Sequence, residues 1–415
     1  MNLSCADEAY RLNSVLDNFV ELYKHMKQRD ANWYKAMGTT IGGSEISSLL
    51  SISENEELRK YKSPYSNFIE IVNNKIAILR GDRVWHEGGV ACWWGTLFEE
   101  IITMIVEIEL GNKIKGDSIC IQLINGHRNS PDGYIVAHFC EDVDAIGSGS
   151  SGSSNAKTRY KLYTTDMDPT LILFSRIIML EFKCPISRKP TMEIPKYYIP
   201  QLWSGLSVSP IASMGLFIDS IFRKCSLEML GHNTDYDTIY HNKDQTIEIG
   251  NPICWGLIGM YSVNNPPSFI DMGNISYSNF NFIMGNINNH TIKTINSVPW
   301  FPDIHNSSNG SNGSNGSNSS NGSNGSNSSN GSNGDNGSSS NKKNTNMPQR
   351  GNTASIDVEI EKLRLLTPKN WHFLGVFPWK LFHSSYLPIQ RRCGFLKEII
   401  PLIEIVHKTV LESCI

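Results

Sequence analysis

The chain has 415 residues and a formal net charge of −3, which argues against a polybasic, histone-like nucleic-acid binder but leaves room for an enzyme with a locally basic channel. No uninterrupted apolar run approaches the roughly 18–20 residues that cross a bilayer, and Asp7, Glu8 and Arg11 break any secretory pattern, so a soluble intracellular protein with no membrane partner is expected. Nine cysteines without a single Cys-x-x-Cys pair argue against a zinc ribbon or a disulfide scaffold; reduced, mostly buried thiols are expected.

Residues 6–29 place Leu12, Val15, Leu16, Phe19, Val20 and Tyr23 at helical spacing, which predicts a packing helix. Trp33 and Lys35 follow, then Gly42-Gly43-Ser44-Glu45. Ser44 is placed as an N-cap, and a helix N-terminus offers N–H groups to a phosphate, so this turn reads either as ordinary capping or as an anion site. Arg80, Arg83 and His86 face DNA or solvent. Over 92–110, Phe98, Ile101, Ile102, Ile105 and Ile108 form an apolar stripe that predicts a core helix. Glu99 lies beside the stripe, with Glu100 as the alternative carboxylate, and Gly95 one turn earlier lets a backbone or DNA approach.

Residues 119–123 read as a strand, 125–133 as a turn containing Ser130-Pro131-Asp132-Gly133, and 134–139 as the returning strand. A Gly/Ser tract at 147–155 reads as a flexible insertion. In the strand that follows, Met179, Glu181 and Lys183 share one face and Leu180 and Phe182 the other, and Pro185 ends it. Alone, the Glu-x-Lys tripeptide reads as an exposed ion pair on an edge strand. Arg188, Lys189, Lys196, Tyr197 and Tyr198 form a basic and aromatic cluster, suited to phosphate contacts and base stacking or to plain surface; a helix carrying Gln201 comes next. Residues 214–221 predict a strand. The Ser/Asn/Gly tract from 306 to 341 has no apolar residue and predicts disorder. From 356 the globular pattern returns, with a strand over 371–377, a turn at Pro378-Trp379-Lys380 and an amphipathic helix over 395–411.

In this order, Gly95-x-x-x-Glu99, Ser130-Pro131-Asp132-Gly133, Leu180-Glu181-x-Lys183-Cys184-Pro185 and Tyr197-Tyr198-x-x-Gln201 resemble the lambda-exonuclease-like, YqaJ-type viral recombinase branch of the PD-(D/E)XK nucleases. The resemblance is specific over about residues 33–225. It implies an α/β fold with a restriction-endonuclease-like core, a mixed central β-sheet flanked by helices and interrupted by disordered low-complexity insertions. The expected organisation is an N-terminal helix over 1–30, a nuclease domain over 31–305 with a flexible insertion near 147–156, a disordered insertion over 306–352, and the return of the same domain over 353–415.

The resemblance also implies a Mg2+ site, with Mn2+ able to substitute. Asp132, Glu181 and the Phe182 carbonyl would be its ligands, joined by Glu99 directly or through water. Lys183 would orient the attacking water and stabilise developing charge, assisting deprotonation if burial lowers its pKa; Gln201 would bind the water or the phosphate. Similar nucleases surround a terminal 5′-phosphate with a Trp, an Arg and a Ser. Trp33 and Ser44 match, but Met37 stands at the arginine position, leaving Lys35 as a point charge without bidentate geometry. The second glutamine of the family's helix falls at Trp203. The implied activity is digestion of linear double-stranded DNA from free ends, 5′ to 3′, in viral DNA recombination, repair or replication. The implied partners are a single-strand annealing or recombinase protein and two further copies in a ring-shaped trimer, in the host cytoplasm or at a viral replication site. An endonuclease with the same centre, and a non-catalytic DNA-binding protein with a residual site, remain the rival readings.

Overall fold

Ser4 opens the first helix, α1 (Cys5–Tyr23), by accepting from the Asp7 N–H, and the helix ends at Tyr23, earlier than the expected 29. The computed structural model describes residues 4–82, 90–142, 159–186, 192–227, 230, 240–242, 245–247, 252–263, 292–301 and 356–414. The predicted insertions at 147–156 and 306–352, and Arg83, His86, Arg188 and Lys189, lie outside the described residues. Asp30 caps α2 (Ala31–Ala36). Next come β1 (Ile41–Gly42), a 3-10 turn over Gly43–Glu45, α3 (Ile46–Leu49), α4 (Glu56–Arg59) and α5 (Phe68–Arg80). The long α6 (Val90–Leu110) buries Phe98, Ile101, Ile102, Ile105 and Ile108, the predicted stripe.

The strands follow as β2 (Ile121–Gln122), β3 (His127–Asn129), β4 (Gly133–Glu141), β5 (Tyr160–Leu162) and β6 (Phe174–Lys183). After α7 (Ile199–Val208) come β7 (Met214–Lys224), β8 (Tyr240–Asn242), β9 (Gln245–Ile247), β10 (Cys254–Ser262) and β11 (Ile292–Asn296). The described chain closes with α8 (Ile356–Leu365), β12 (His372–Gln390) and α9 (Phe395–Cys414).

Seven strands form one sheet in the order β11-β10-β12-β7-β6-β4-β5. β4 runs antiparallel to β6, and β6 parallel to β7, as a parallel pair joined through a crossover helix, here α7, requires. Leu180, Phe182 and Ile135 pack with α6 on one face; Met179, Ile177 and Val136 pack with α1 and α7 on the other. This is the mixed, helix-flanked sheet expected of a restriction-endonuclease-like core. β6 is an interior strand, so its Glu-x-Lys is not an exposed edge pair.

Two sequence expectations fail for physical reasons. Residues 125–133 are not all turn, because β3 pairs parallel with β1 and antiparallel with β2, and its polar side chains find buried partners on α7. Nor is there a turn at Pro378: β12 runs straight through it, paired with β10. Pro378 sits where β7 has ended, the first β7 partner being Trp379 opposite Lys224, so its missing N–H leaves no ladder acceptor unmet. β12 thereby brings the C-terminal segment into the middle of the sheet. All nine cysteines are free, and five of them (Cys120, Cys140, Cys184, Cys225 and Cys254) are buried. Among the described residues no helix is long and apolar enough to cross a membrane.

Candidate active site

β4 begins at Gly133, opposite Leu180, so Glu181, Phe182 and Lys183 run on beyond their antiparallel neighbour. Gly133 has φ 151°, and a Cβ there would lie 2.4 Å from Ile114 Cγ2, which is why the turn before β4 ends in glycine. The turn sets Asp132 into the gap. Its N–H donates to the Leu180 carbonyl at 3.2 Å and its Oδ2 accepts from the Phe182 N–H at 2.6 Å. The N–H and C=O of one strand residue point to the same side, so the Phe182 carbonyl opens onto the same gap. On the neighbouring face Glu181, 3% exposed, accepts through Oε1 from both Lys183 Nζ and Gln201 Nε2. The Lys183 ammonium stands 5.2 Å from the Tyr198 ring centroid.

These groups line one end of an open cleft of about 730 Å³. Burial, and then the neighbouring charge of Glu181, push the Asp132 carboxyl up to about 7 against the pull of Lys183. Burial works against the charged form of Lys183, but Glu181 and Asp132 outweigh it and hold the ammonium protonated above the usual lysine range. This direction is opposite to the lowering by desolvation that would favour Lys183 as a base. Glu99 also faces the cleft from α6, raised by burial and by Asp132 although Arg29 opposes the shift; its Oε2 accepts from Arg29 Nη2 at 3.3 Å. Glu100 turns away to accept from Asn296 at 2.7 Å, which separates the two candidate glutamates. A Cβ on Gly95 would meet nothing within 4 Å, so α6 presents open space to the cleft there.

Among the described residues no three Asp, Glu, His or Cys side chains gather closely enough to hold a metal ion on their own. The donor set still fits a hard divalent cation: a buried carboxylate pair, one of whose pKa values is raised by burial and then by the other's charge, beside a main-chain carbonyl with no strand opposite it, is oxygen-rich and short of positive charge. Glu99 belongs to the same wall but is held by Arg29.

The predicted phosphate-binding residues separate. Trp33 and Ser44 line the far end of the cleft, whereas Lys35 is exposed on α2 and is not part of the lining. Ser44 is not an N-cap. Gly42 precedes the 3-10 turn, and its N–H is taken by Glu45 Oε2 at 2.7 Å, so the first donor of that turn is already spent on a carboxylate. Met37 is buried. The guanidinium at this end belongs to Arg128, with its carbon 4.5 Å from the Trp33 ring centroid. Neither Arg128 nor Arg29 was legible as a site residue: Arg128 falls in the segment read as a turn, and Arg29 adopts φ 66°, a local conformation that no motif announces. Trp203, at the family's second glutamine position, packs against Tyr61, Phe395 and Arg392 instead of facing the cleft.

The family model described as a YqaJ-like viral recombinase domain matches residues 32–212. A protein of African swine fever virus, from a Malawi tick isolate, is 32% identical over 253 residues, covering 60% of this chain and 64% of its own length. Its counterpart in the Vero-adapted Badajoz strain is 29% identical over 252 residues with the same coverage. The chain thus spans less than two thirds of these relatives. Among solved structures, an alkaline exonuclease (LHK-Exo) from Laribacter hongkongensis matches with 16% identity and a TM-score of 0.27, over 46% of this chain and 74% of that one.

Proposed function

We propose, from the match of residues 32–212 to the YqaJ-like viral recombinase domain model, that the chain is a Mg2+-dependent DNA exonuclease that hydrolyses phosphodiester bonds of linear double-stranded DNA. The observation that carries this reading is the buried Glu181, bonded to Lys183 and Gln201 and facing Asp132 where β6 outruns β4.

Asp132, Glu181 and the Phe182 carbonyl would hold the ion, with Glu99 reaching it directly or through water. Bound there, Mg2+, or Mn2+ in its place, supplies positive charge against the phosphoryl oxygens and the leaving oxygen. The chain's own side chains do the rest. Gln201 and Lys183 donate to one oxygen of Glu181 and fix the orientation of that carboxylate. Lys183, kept protonated by its neighbours, donates to the attacking water or to a non-bridging phosphate oxygen, acting as a source of charge and not as a base. Trp33 and Ser44 contact DNA phosphate at the other end. Lys35, exposed on α2, serves only as long-range charge.

The reading extends to 5′ to 3′ polarity, leaving 3′ single strands for an annealing or recombinase protein, and to a ring-shaped trimer around the duplex. It extends further to a setting in viral DNA recombination, repair or replication, in the host cytoplasm or at a viral replication site; the viral origin of the relatives supports only the viral part of this.

The test compares wild type with Lys183→Ala on linear duplex and covalently closed circular DNA in Mg2+, against chelator controls. Loss of linear DNA with wild type alone, circles spared, is the expected result. Equal cleavage of circles would mean an endonuclease; binding without any cleavage would leave a non-catalytic DNA-binding protein.

A further inference from the structure

The turn between α1 and α2 holds a residue other than glycine in the left-handed region, Arg29 at φ 66°. An L side chain disfavours that conformation, and where it persists the surroundings over-determine it. They do so here. The Gln28 N–H donates to the Ser118 carbonyl at 2.7 Å and the Cys120 N–H to the Met26 carbonyl at 2.9 Å, which fastens the turn to the segment leading into β2. The Asp30 N–H closes onto the Lys27 carbonyl at 3.2 Å, while the Asp30 carboxylate accepts from the Lys27 and Trp33 N–H groups at 3.1 and 2.7 Å. Held in this way, Arg29 lines the cleft, and its Nη2 donates to Glu99 Oε2 at 3.3 Å and to Thr96 Oγ1 at 3.4 Å. Backbone strain that aims a guanidinium at a carboxylate of the catalytic end points to function rather than stability.

The contact itself is loose. Charge-assisted N–H···O bonds ordinarily close to about 2.7–2.9 Å, and the two side chains here are 39% and 30% exposed. Such a pair adds little stability and is readily given up. The Arg29 charge also reaches Asp132, so one guanidinium bears on two of the proposed metal ligands. A guanidinium and a divalent ion cannot both occupy the same carboxylate oxygen, so the two compete for Glu99.

We propose that Arg29 is a positioning residue that stands in for a divalent cation on Glu99 in the free protein and must withdraw before Glu99 can serve as a metal ligand. The inference rests on the metal-dependent nuclease reading of the same cleft. Arg29 thereby keeps the Glu99 carboxylate turned into the cleft and sets how tightly that side of the site takes its ion. Gly95 leaves open space beside Thr96, which gives a withdrawn guanidinium room, and a DNA phosphate in the cleft offers the same donors a new partner.

The experiment titrates Mn2+ into the full chain without DNA and follows the loss of the free-ion signal by electron paramagnetic resonance, so that metal binding is read apart from cleavage. Arg29→Gly removes the charge and suits the backbone, because glycine adopts positive φ without strain. Arg29→Lys keeps a cation at the same place. The glycine variant is expected to bind Mn2+ about tenfold more tightly than wild type, the scale of one unit charge lifted from a partly screened carboxylate, and the lysine variant to stay close to wild type. Adding Glu99→Gln to Arg29→Gly should abolish the gain. Equal affinity in wild type and Arg29→Gly overturns the inference and leaves the nuclease reading standing. So does a gain that survives Glu99→Gln, or one that Arg29→Lys shows in full, since backbone strain and not charge would then be its cause. No Mn2+ bound by either wild type or Arg29→Gly overturns this inference and the metal-dependent reading together.

Discussion

The two ends of the cleft are built on opposite electrostatic terms. At the β6 end three carboxylates, Glu99, Asp132 and Glu181, face two cations, Arg29 and Lys183, and burial, with the Glu181 charge second, raises the pKa of Asp132. At the Trp33 end the balance is reversed, because Glu45 is neutralised by Lys75 and the Arg128 charge is left over. Buried charge without a partner is costly. Each end carries its surplus where a ligand of the opposite sign, a divalent cation at one and a phosphate at the other, would complete it.

The sharpest way to break this comparison is at Lys183. Lys183→Ala leaves Glu181 and Asp132 facing one another with only the Arg29 charge to offset them and removes the donor to the phosphate. Single-turnover cleavage of linear duplex at saturating Mg2+ should fall on the order of a hundred- to a thousandfold; a loss below about tenfold would show that this lysine is only an ion-pair partner. Gln201→Leu should come next. It removes one of the two donors that orient Glu181 but leaves every proposed ligand in place, so activity should drop about ten- to a hundredfold. Much of that loss should be recovered at higher Mg2+, visible as a rightward shift of the metal titration. A loss that no Mg2+ concentration recovers would place Gln201 on the phosphate or the water instead.

Gly43→Ala addresses the other end. The added methyl would collide with Asn129, whose Nδ2 donates to Ser204 Oγ at 2.9 Å. To admit it, Asn129 must swing away and give up a buried hydrogen bond, at a cost of about 1–3 kcal/mol. Urea denaturation should show a lower midpoint at unchanged slope; an unchanged midpoint would mean that the contact between β3 and the Gly43 turn is soft.

The two ends also differ in how far the sequence reveals them. β6 is an apolar strand of ten residues, long enough for its alternation to be read, and the motif residues Glu99, Asp132, Glu181, Lys183 and Gln201 all line the one cleft. β3 is three polar residues, His-Arg-Asn, too short for periodicity and with the composition of a turn. Its structure comes from afar: Ile41 pairs with His127, and the buried faces of His127 and Asn129 are satisfied by Ser204 on α7. Arg128 was therefore hidden for the same reason that it is well placed, since its strand exists only once the tertiary fold has formed. Pro378 was misread in the opposite sense. A local turn signal gave way to a strand whose neighbours on both sides supply the ladder.

A last prediction tests how rigid β3 is. His127 is fully buried. Its Nδ1 donates to the Ile41 carbonyl at 3.1 Å, so Nε2 is the acceptor for the Ser204 hydroxyl at 2.8 Å. Burial holds the imidazole pKa down to about 4, below the ordinary value near 6.5. Between these two values the unfolded chain binds a proton that the folded chain does not, so stability due to His127 is intact above about pH 6.5 and declines as the pH falls toward 4, by about 3 kcal/mol in all. Asp132 acts with the opposite sign. Its folded pKa of about 7 lies above the carboxylate value, so without bound metal it gains stability as the pH falls below 7. The two slopes overlap, and a single pH curve would hide both. Denaturation of wild type and His127→Gln in chelator should therefore be compared as a difference, which should shrink steadily from pH 6.5 to 4. Parallel curves would mean that His127 titrates normally, that water reaches it, and that the strand presenting Arg128 opens in solution.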